Sequence, residues 1–145
     1  MSRKITIRAT INANIETVWN AWTKPEHITQ WNFASDDWQC PSASNDLRVG
    51  GKYSARMEAK DGSFGFNFEA VYNEVVPQKK ITYTMTDGRV ATTTFETQGN
   101  TVMVTTTFDP ENENSLELQQ QGWQAILNNF AYYATSLSGA HEAQS

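Results

Sequence analysis

The fold is decided by a stretch in the first half of the chain, residues 52–72, which reads KYSARMEAKDGSFGFNFEAVY. On both sides of Asp61-Gly62 apolar and polar side chains alternate, from Tyr53 in the first series to Tyr72 in the second. Alternation is typical of a strand with one buried face, and Asp-Gly between two such strands is a strong hairpin signal. The stretch therefore predicts two antiparallel strands whose large apolar side chains share one face.

The same pattern predicts two more hairpins toward the C-terminus. Asp87-Gly88 joins a strand that begins near Lys80 to a strand from Val90 to Thr97, and Gly99-Asn100 leads into a strand from Thr101 to Phe108. Runs of threonine in these segments favour strands over helices, because β-branching restricts the side chain.

Before this sheet, the pattern predicts one strand and two short helices. Lys4 to Ile11 alternates apolar and polar residues, whereas the apolar residues from Ile15 to Trp22 have helical spacing. Asn14 or Asn12 is the candidate N-cap of this first helix. A second short helix is predicted from Pro25 to Trp31, because proline suits the first turn of a helix.

The signals of a sheet are predicted to begin at Trp38 and to extend to Phe108, with a loop and a pair of glycines before the first hairpin. Residues 42–45 read as a polar loop, and Gly50-Gly51 indicates a bulge or a corner where a positive φ is needed. Such a bulge would help the sheet to curl. Pro77 is expected to end one strand before Lys80 begins the next.

One long helix is predicted at the C-terminus. Apolar residues from Trp123 to Leu137 recur at intervals of three and four, which places them on one face. The helix is expected to run from Ser115 to Ser138, with Asn114 as its N-cap and Gly139 as its C-terminal stop.

These elements together predict an α+β fold of the helix-grip type. A curved antiparallel sheet needs a cover on its inner face, and the long helix is the element of suitable length. We expect a sheet of about six strands wrapped on the C-terminal helix, with two short helices after strand 1. Residues 1–139 form a single domain in this prediction, and residues 140–145 form a polar tail.

The composition indicates a folded chain with an aromatic core. It contains 5 Trp, 5 Tyr and 7 Phe but only 5 Leu. Leu, Ile, Val and Phe together make up about 19% of the chain, close to the level of disordered proteins. Disordered chains, however, are poor in aromatic residues. We therefore expect one folded domain whose interior is built from rings.

The composition also excludes several classes of protein. The formal net charge is −5 and the basic residues are scattered, which argues against nucleic acid as a partner. No apolar run is long enough to cross a membrane. The N-terminal residues lack the apolar segment of a signal peptide, so a cytoplasmic location is expected.

The sequence shows no constellation typical of catalysis, and no cofactor or metal site is predicted. Cys40 is the single cysteine, and His27 and His141 are far apart in sequence. The paired carboxylates Asp36-Asp37 are adjacent, so they would point to opposite sides of a strand. Arg48 is expected to pair with Asp46 in an exposed ion pair of little energetic consequence.

Gly122 stands in the interior of the predicted long helix, where glycine costs about 1 kcal/mol relative to alanine. A reason in packing is therefore expected. Gly122 either lets the helix approach the sheet closely or leaves space at the mouth of a cavity.

Several segments spread along nearly the whole chain resemble one family in the same order. They are VWNAWTKPEHI (18–28), QW (30–31), DLRVGGKY (46–53), EVVP (74–77), ITYT (81–84) and QGW (121–123) with Leu127. The chain thereby resembles the START-like SRPBCC superfamily and, within it, the branch named for homologues of the heat-shock-protein-90 ATPase activator. The resemblance implies a birch-pollen-allergen-like helix-grip fold with space between sheet and helix for apolar or aromatic small molecules.

The candidate site is this space, lined by rings and thioethers on the predicted inner faces. Ligand pockets are mostly apolar with a few orienting polar groups, and tyrosine hydroxyls would supply these. The alternative is that the same side chains pack as an ordinary core. The candidate ligand-binding residues are Trp31, Phe33, Tyr53, Met57, Phe66, Phe68, Tyr72, Tyr83, Met85, Phe95, Met103, Trp123, Leu127 and Phe130.

Three functions follow as hypotheses. The leading one is binding of a small hydrophobic or aromatic molecule without catalysis. The second is a cyclase- or hydratase-type enzyme that uses tyrosine hydroxyls and an arginine in the same pocket, which requires a strongly perturbed acid or base in its lining. The third is a stress-related or chaperone-associated accessory domain, which requires an exposed apolar patch. A homodimer is a further hypothesis about partners.

Overall fold

The structure, a computed structural model, describes the backbone of residues 4–144 and the side-chain surroundings of residues 4–137. Within residues 4–144, seven strands form one antiparallel sheet in the order β1-β7-β6-β5-β4-β3-β2. The elements in chain order are β1 (Ile5–Ile11), α1 (Ile15–Thr23), α2 (Pro25–Ile28), β2 (Trp38–Asn45), β3 (Lys52–Ala59), β4 (Gly65–Val76), β5 (Lys80–Met85), β6 (Val90–Gln98), β7 (Thr101–Phe108) and α3 (Leu116–Gln144).

The helix-grip prediction is confirmed, since the curved sheet wraps on helix α3, which packs chiefly on β1 and α1. The side chain of Gln124 on α3 also serves the edge of the sheet. Its Nε2 donates to the Arg8 carbonyl oxygen at 2.8 Å, and its Oε1 accepts from the Arg8 amide at 3.4 Å. The unpaired backbone of edge strand β1 is thereby satisfied locally.

The prediction of a polar loop over residues 42–45 is wrong, because these residues belong to strand β2. They pair with β3 from Ser42 opposite Arg56 to Asn45 opposite Tyr53. The register shifts between Gln39 and Ser42, around Pro41, which has no amide hydrogen to give to a ladder. Such a strand is tolerated at the edge of a sheet, and it raises the strand number from about six to seven.

The turns agree with the predictions from glycine. Gly62 and Gly88 have φ of 79° and 90°, as tight Asp-Gly hairpins require. Gly50, with φ of 83°, and Gly51 together face Tyr72, which is the two-against-one pattern of a β-bulge, as one of the two predicted alternatives requires. The Gly50 amide donates to the Tyr72 carbonyl oxygen at 2.9 Å, and the Tyr72 amide donates to the Gly51 carbonyl oxygen at 3.0 Å.

The two short helices occur in the predicted order. Asn14 is the N-cap of α1, since its Oδ1 accepts from the Thr17 amide at 2.8 Å. Helix α2 ends at Ile28 rather than at Trp31. Trp31 turns back toward α1 instead, where its Nε1 donates to the Ala21 carbonyl oxygen at 2.8 Å.

Both predicted ends of the long helix need correction. Ser115 is the N-cap in place of Asn114, because its Oγ accepts from the Leu118 amide at 3.1 Å. Gly139 does not end the helix, which continues to Gln144. The residues after Gly139 include alanine, glutamate and glutamine, which have high helix propensity. As far as Gln144, the predicted polar tail is therefore a continuation of α3, and Ser145 lies outside the described residues.

The fully buried side chains of the core are aliphatic as well as aromatic, so the expectation of an interior built from rings is met only in part. Phe130 on α3 packs edge-to-face on Trp22 and on Trp31, with ring centroids 4.9 Å apart in both pairs. The two tryptophans stack on each other at 5.1 Å, and Phe95 closes the group against Trp22 at 5.8 Å. We call Trp22, Trp31, Phe95 and Phe130 the ring cluster.

No helix in the described part of the chain has both the length and the hydropathy that a membrane span needs.

Candidate functional site

A partly enclosed cavity of about 240 Å³ lies on the concave side of the sheet, between strands β1 and β3–β7 and the helices. Rings contribute most of its wall, together with a few aliphatic and polar side chains. The lining residues are Ile7, Trp22, Trp31, Asn32, Tyr53, Met57, Phe66, Phe68, Tyr83, Arg89, Thr93, Thr106, Trp123, Ile126 and Leu127.

The structure brings eight of the candidate residues together in this cavity. The strands position most of them through regular alternation, since Tyr53 and Met57 on β3 lie on the same face as Phe66 and Phe68 on β4. The eight are Trp31, Tyr53, Met57, Phe66, Phe68, Tyr83, Trp123 and Leu127.

Five other candidates do not line the cavity, although they are buried or half-buried. Phe95 and Phe130 belong to the ring cluster. Tyr72 donates its hydroxyl to Asn45 Oδ1 at 2.6 Å. Met85 borders a separate shallow depression between β4 and β5, and Phe33 packs at the edge of the core.

Met103 is on the wrong face of the sheet. On β7 the buried side chains are Val102 and Val104, so Met103 between them points to the convex side. Its register partners there are Thr10 on β1 and Glu96 on β6. Met103 is therefore not part of the site.

Seven lining residues were not predicted. Ile7 on β1 and Thr93 on β6 are in phase with predicted inner-face residues, so strict alternation would have found them. Thr106 on β7 was missed because the predicted residue of that strand, Met103, has the opposite phase. Trp22 and Ile126 lie on the predicted apolar faces of their helices. Asn32 and Arg89 lie in connections and follow no periodic pattern.

A few polar groups lie within the mostly apolar wall of the cavity. Thr93 and Thr106, buried opposite each other on β6 and β7, share a hydrogen bond of 2.8 Å between their hydroxyls. Asn32 donates its Nδ2 to the Tyr53 hydroxyl at 3.2 Å. Tyr53 in turn stacks on Tyr83 with ring centroids 6.1 Å apart.

The hydroxyl of Tyr83 is free. It has no hydrogen-bond partner among the described residues, and no fully buried side-chain oxygen or nitrogen is left unpaired there. The hydroxyl of Tyr83 is therefore accessible, and its residue lines the cavity. It is available to a bound molecule.

Burial keeps the tyrosines of this region protonated. It raises the pKa of Tyr53 far above the usual range, and neighbouring Tyr83 and Tyr72 raise it further. Burial likewise raises the pKa of Tyr83, while the positive charge of Arg89 opposes that shift. Both hydroxyls are consequently neutral donors at physiological pH.

Arg89 carries the one formal charge among the described residues that line the cavity. It belongs to the β5–β6 hairpin, where its Nε donates to Asp87 Oδ2 at 2.7 Å. Its side chain is 24% exposed. Arg89 and the partly exposed Phe66 therefore mark the open side of the cavity.

The other reactive side chains lie elsewhere. Cys40 is buried, its Sγ donates to the Ser42 carbonyl oxygen at 3.5 Å, and burial raises its pKa. His27 Nδ1 is hydrogen-bonded to the Tyr133 hydroxyl at 2.6 Å. The predicted ion pair of Arg48 is confirmed, with its Nε 2.9 Å from Asp46 Oδ2.

Acidic and metal-ligating groups do not gather in the described residues. Asp36 and Asp37 are exposed, and Asp37 accepts a hydrogen bond from Ser35. No three side chains of His, Cys, Asp or Glu within the described part of the chain are placed to hold a metal ion together.

Gly122 faces open space. A Cβ atom built on it would meet no atom within 4 Å. The idea that Gly122 permits close approach of α3 to the sheet is therefore wrong.

The chain matches one family of known proteins. Residues 12–135 match the family described as activator of Hsp90 ATPase homolog 1-like protein. An AHSA1-like protein from Aeromonas hydrophila is 40% identical, with a TM-score of 0.88 over 93% of this chain and 94% of that chain. A protein from Cytophaga hutchinsonii is 47% identical, with a TM-score of 0.79 over 92% of each chain.

A more distant structure shows the same fold. A protein from Chromobacterium violaceum is 23% identical, with a TM-score of 0.82 over 92% of this chain and 98% of that chain. No curated protein matches the chain significantly.

Proposed function

The chain belongs to the family of activator of Hsp90 ATPase homolog 1-like proteins, and on that premise we propose that it binds a small hydrophobic or aromatic molecule in its cavity. The START-like fold of this family commonly holds apolar ligands between sheet and helix. The observation that carries the proposal is the unfilled space of about 240 Å³ beside a tightly packed ring cluster.

The size of the cavity indicates the size of the ligand. An apolar cavity of about 150 Å³ accommodates benzene. The present cavity is larger, which suits a ligand of about two fused rings. We therefore take naphthalene derivatives as probes.

The wall is arranged for a flat ligand. Tyr53, Phe68 and Tyr83 surround one side of the cavity, with ring centroids 5.9 to 6.1 Å apart. Aromatic pairs favour offset-stacked or edge-to-face contacts at centroid distances of about 4.5–7 Å. A bound ring can make the same contacts with these side chains that they make with one another.

The lining supports binding better than acid–base catalysis. It includes no Asp, Glu, His or Cys among the described residues, so the usual general bases are missing there. The raised pKa values of Tyr53 and Tyr83 favour the protonated hydroxyl, which donates hydrogen bonds but does not abstract protons. A cyclase or hydratase would need a base from outside this set.

The proposal is tested by filling the cavity. Ile126 lines the cavity from α3, and Ile126→Trp places an indole in the space. Isothermal titration calorimetry with 2-naphthamide, a neutral probe, should show binding to the unmodified protein and at least about tenfold weaker binding to the variant. The cause is simple exclusion, since the indole and the probe need the same volume.

Leu118→Trp is the matched control. Leu118 is on the same helix but 56% exposed and outside the cavity. This variant should bind 2-naphthamide as the unmodified protein does. Equal binding to all three proteins, or binding to none, would overturn the proposal.

A second function, an accessory role with a chaperone, is favoured by one surface feature. Phe64 in the β3–β4 hairpin is 62% exposed, and its ring lies 5.9 Å from that of Trp38 and 6.4 Å from that of Phe66. Exposed apolar clusters of this kind mark interaction sites. The family description contains the words activator of Hsp90 ATPase.

This second function has its own test. The ATPase rate of purified Hsp90 is measured with the protein, with Phe64→Ser and with Tyr132→Ser. Tyr132 is also exposed but lies on α3 away from the cluster. Stimulation that is lost only in Phe64→Ser supports the role, and a rate unaffected by the protein contradicts it.

A further inference from the structure

The polar side chains of the cavity are unevenly distributed. The ring cluster closes one end, whereas Arg89 lies at the open side near Tyr83. The positive charge of Arg89 opposes the rise in the pKa of Tyr83 that burial causes, which is consistent with this proximity.

The guanidinium of Arg89 has unused donors. An arginine side chain has five N–H groups in a fixed fork, and Asp87 occupies the one on Nε. No other hydrogen bond to this guanidinium is made by the described residues, and no fully buried polar atom is unpaired. The terminal nitrogens are thus free to bind a ligand, and Arg89 and Tyr83 line the same cavity.

From this arrangement we propose that the ligand is an aromatic carboxylate, whose anionic group is bound by the guanidinium of Arg89 and the hydroxyl of Tyr83. This inference rests on the proposed binding function. The rings of the ligand lie among Tyr53, Phe68 and Trp123, and its carboxylate points to the open side. A carboxylate matches the fork of arginine and accepts from a neutral hydroxyl.

Acidic groups near Arg89 do not remove this preference. Asp87 is bound to Nε on the hairpin, and Asp109 pairs with Lys4 at 2.5 Å. Glu69 borders the shallow depression outside the cavity and pairs with Lys52 at 3.2 Å. None of the three carboxylates lines the cavity. Asp87 offsets part of the charge of Arg89 through Nε, and the terminal nitrogens are left for a ligand anion.

The test compares two probes of nearly equal shape. 2-Naphthoate and 2-naphthamide differ in charge but have the same rings and almost the same size. Calorimetry at low ionic strength should give at least about tenfold tighter binding of the acid, because charge-assisted hydrogen bonds are about twice as strong as neutral ones.

The variants locate the source of this preference. Arg89→Gln should abolish the preference for the acid while keeping the affinity for the amide, and Arg89→Lys should keep part of it as a point charge. Arg48→Gln is the matched control. Arg48 is also bound through Nε to an aspartate two residues earlier, but it lies outside the cavity. Arg48→Gln should change neither the affinity for 2-naphthoate nor the affinity for 2-naphthamide.

The outcomes separate this inference from the proposed function. Equal binding of acid and amide, or a preference that survives in Arg89→Gln while thermal denaturation shows the variant to be folded, overturns the carboxylate assignment and leaves the cavity as a neutral binding site. Binding of neither probe overturns both. Loss of the preference in Arg89→Gln but not in Arg48→Gln supports the assignment.

Discussion

Replacing Gly122 by alanine should stabilise the protein. Gly122 lies in the interior of α3, and a Cβ atom at this position would meet nothing within 4 Å. Alanine therefore brings its better helix propensity without any steric cost. It also restricts the unfolded chain, which loses less entropy on folding.

The expected gain follows from the helix propensities. Alanine is favoured over glycine by about 1 kcal/mol in a helix interior. Because the added methyl group meets no other atom, packing does not change this value. With an unfolding entropy of about 2.1 cal/mol/K per residue, a chain of this length gains about 3 °C in Tm.

Thermal denaturation followed by circular dichroism measures this shift. Gly51→Ala is the contrasting variant, since its Cβ would collide with the carbonyl oxygen of Asp46. It should lower Tm by more than the first variant raises it. A Tm for Gly122→Ala that is unchanged or lower would refute the reasoning, because it would mean that the space beside Gly122 is not free in solution.

Two further predictions concern the polar groups of the cavity. Thr93→Val and Thr106→Val should each lower the free energy of unfolding by about 1–3 kcal/mol, because each leaves one buried hydroxyl without its partner, whereas the double variant should stay within about 1 kcal/mol of the unmodified protein. Urea titrations of all four proteins measure this cycle, and purely additive losses would contradict it. Since burial raises the pKa of Tyr53 and Tyr83 in the folded state, the contribution of these two residues to stability should be constant up to about pH 10 and then fall as the unfolded chain loses these protons first. Urea midpoints between pH 8 and 11 test this, Tyr83→Phe should reduce the slope, and a midpoint that does not fall above pH 10 would contradict it.

Local signals were enough to predict most of the fold. The Asp-Gly turns at Gly62 and Gly88 need backbone conformations that few residues adopt. Each Asp-Gly pair is therefore enough to predict the position of one hairpin. Strand β2 was partly missed because Ser42 and Ser44 face solvent on an edge strand, where polar residues and Pro41 are tolerated. An edge strand with such a composition resembles a loop when only its own sequence is considered.

The site was less predictable for two different reasons. Met103 was included because it is apolar, although its neighbours Val102 and Val104 define the buried phase of β7. Here the information was present in the sequence. Asn32 and Arg89, by contrast, reach the cavity from connections whose paths depend on how the hairpins and helices pack. No periodicity assigns a face to such residues.

The position of α3 explains why aromatic side chains pack tightly in one part of the interior and border a cavity in another. The helix packs chiefly on β1 and α1, and there its Phe130 closes the ring cluster. Tyr53, Phe68 and Tyr83 come from β3, β4 and β5, farther along the curved sheet.

Rings on those strands touch one another but lack a complete cover, so part of their apolar surface stays unburied. Burying such surface is favourable by roughly 25 cal/mol per Å². A ligand that fits between these rings and α3 would supply the missing cover and would bind the folded state alone, which stabilises that state. A leucine-poor chain with rings on a strongly curved sheet thus has a packed core on one side and a cavity on the other.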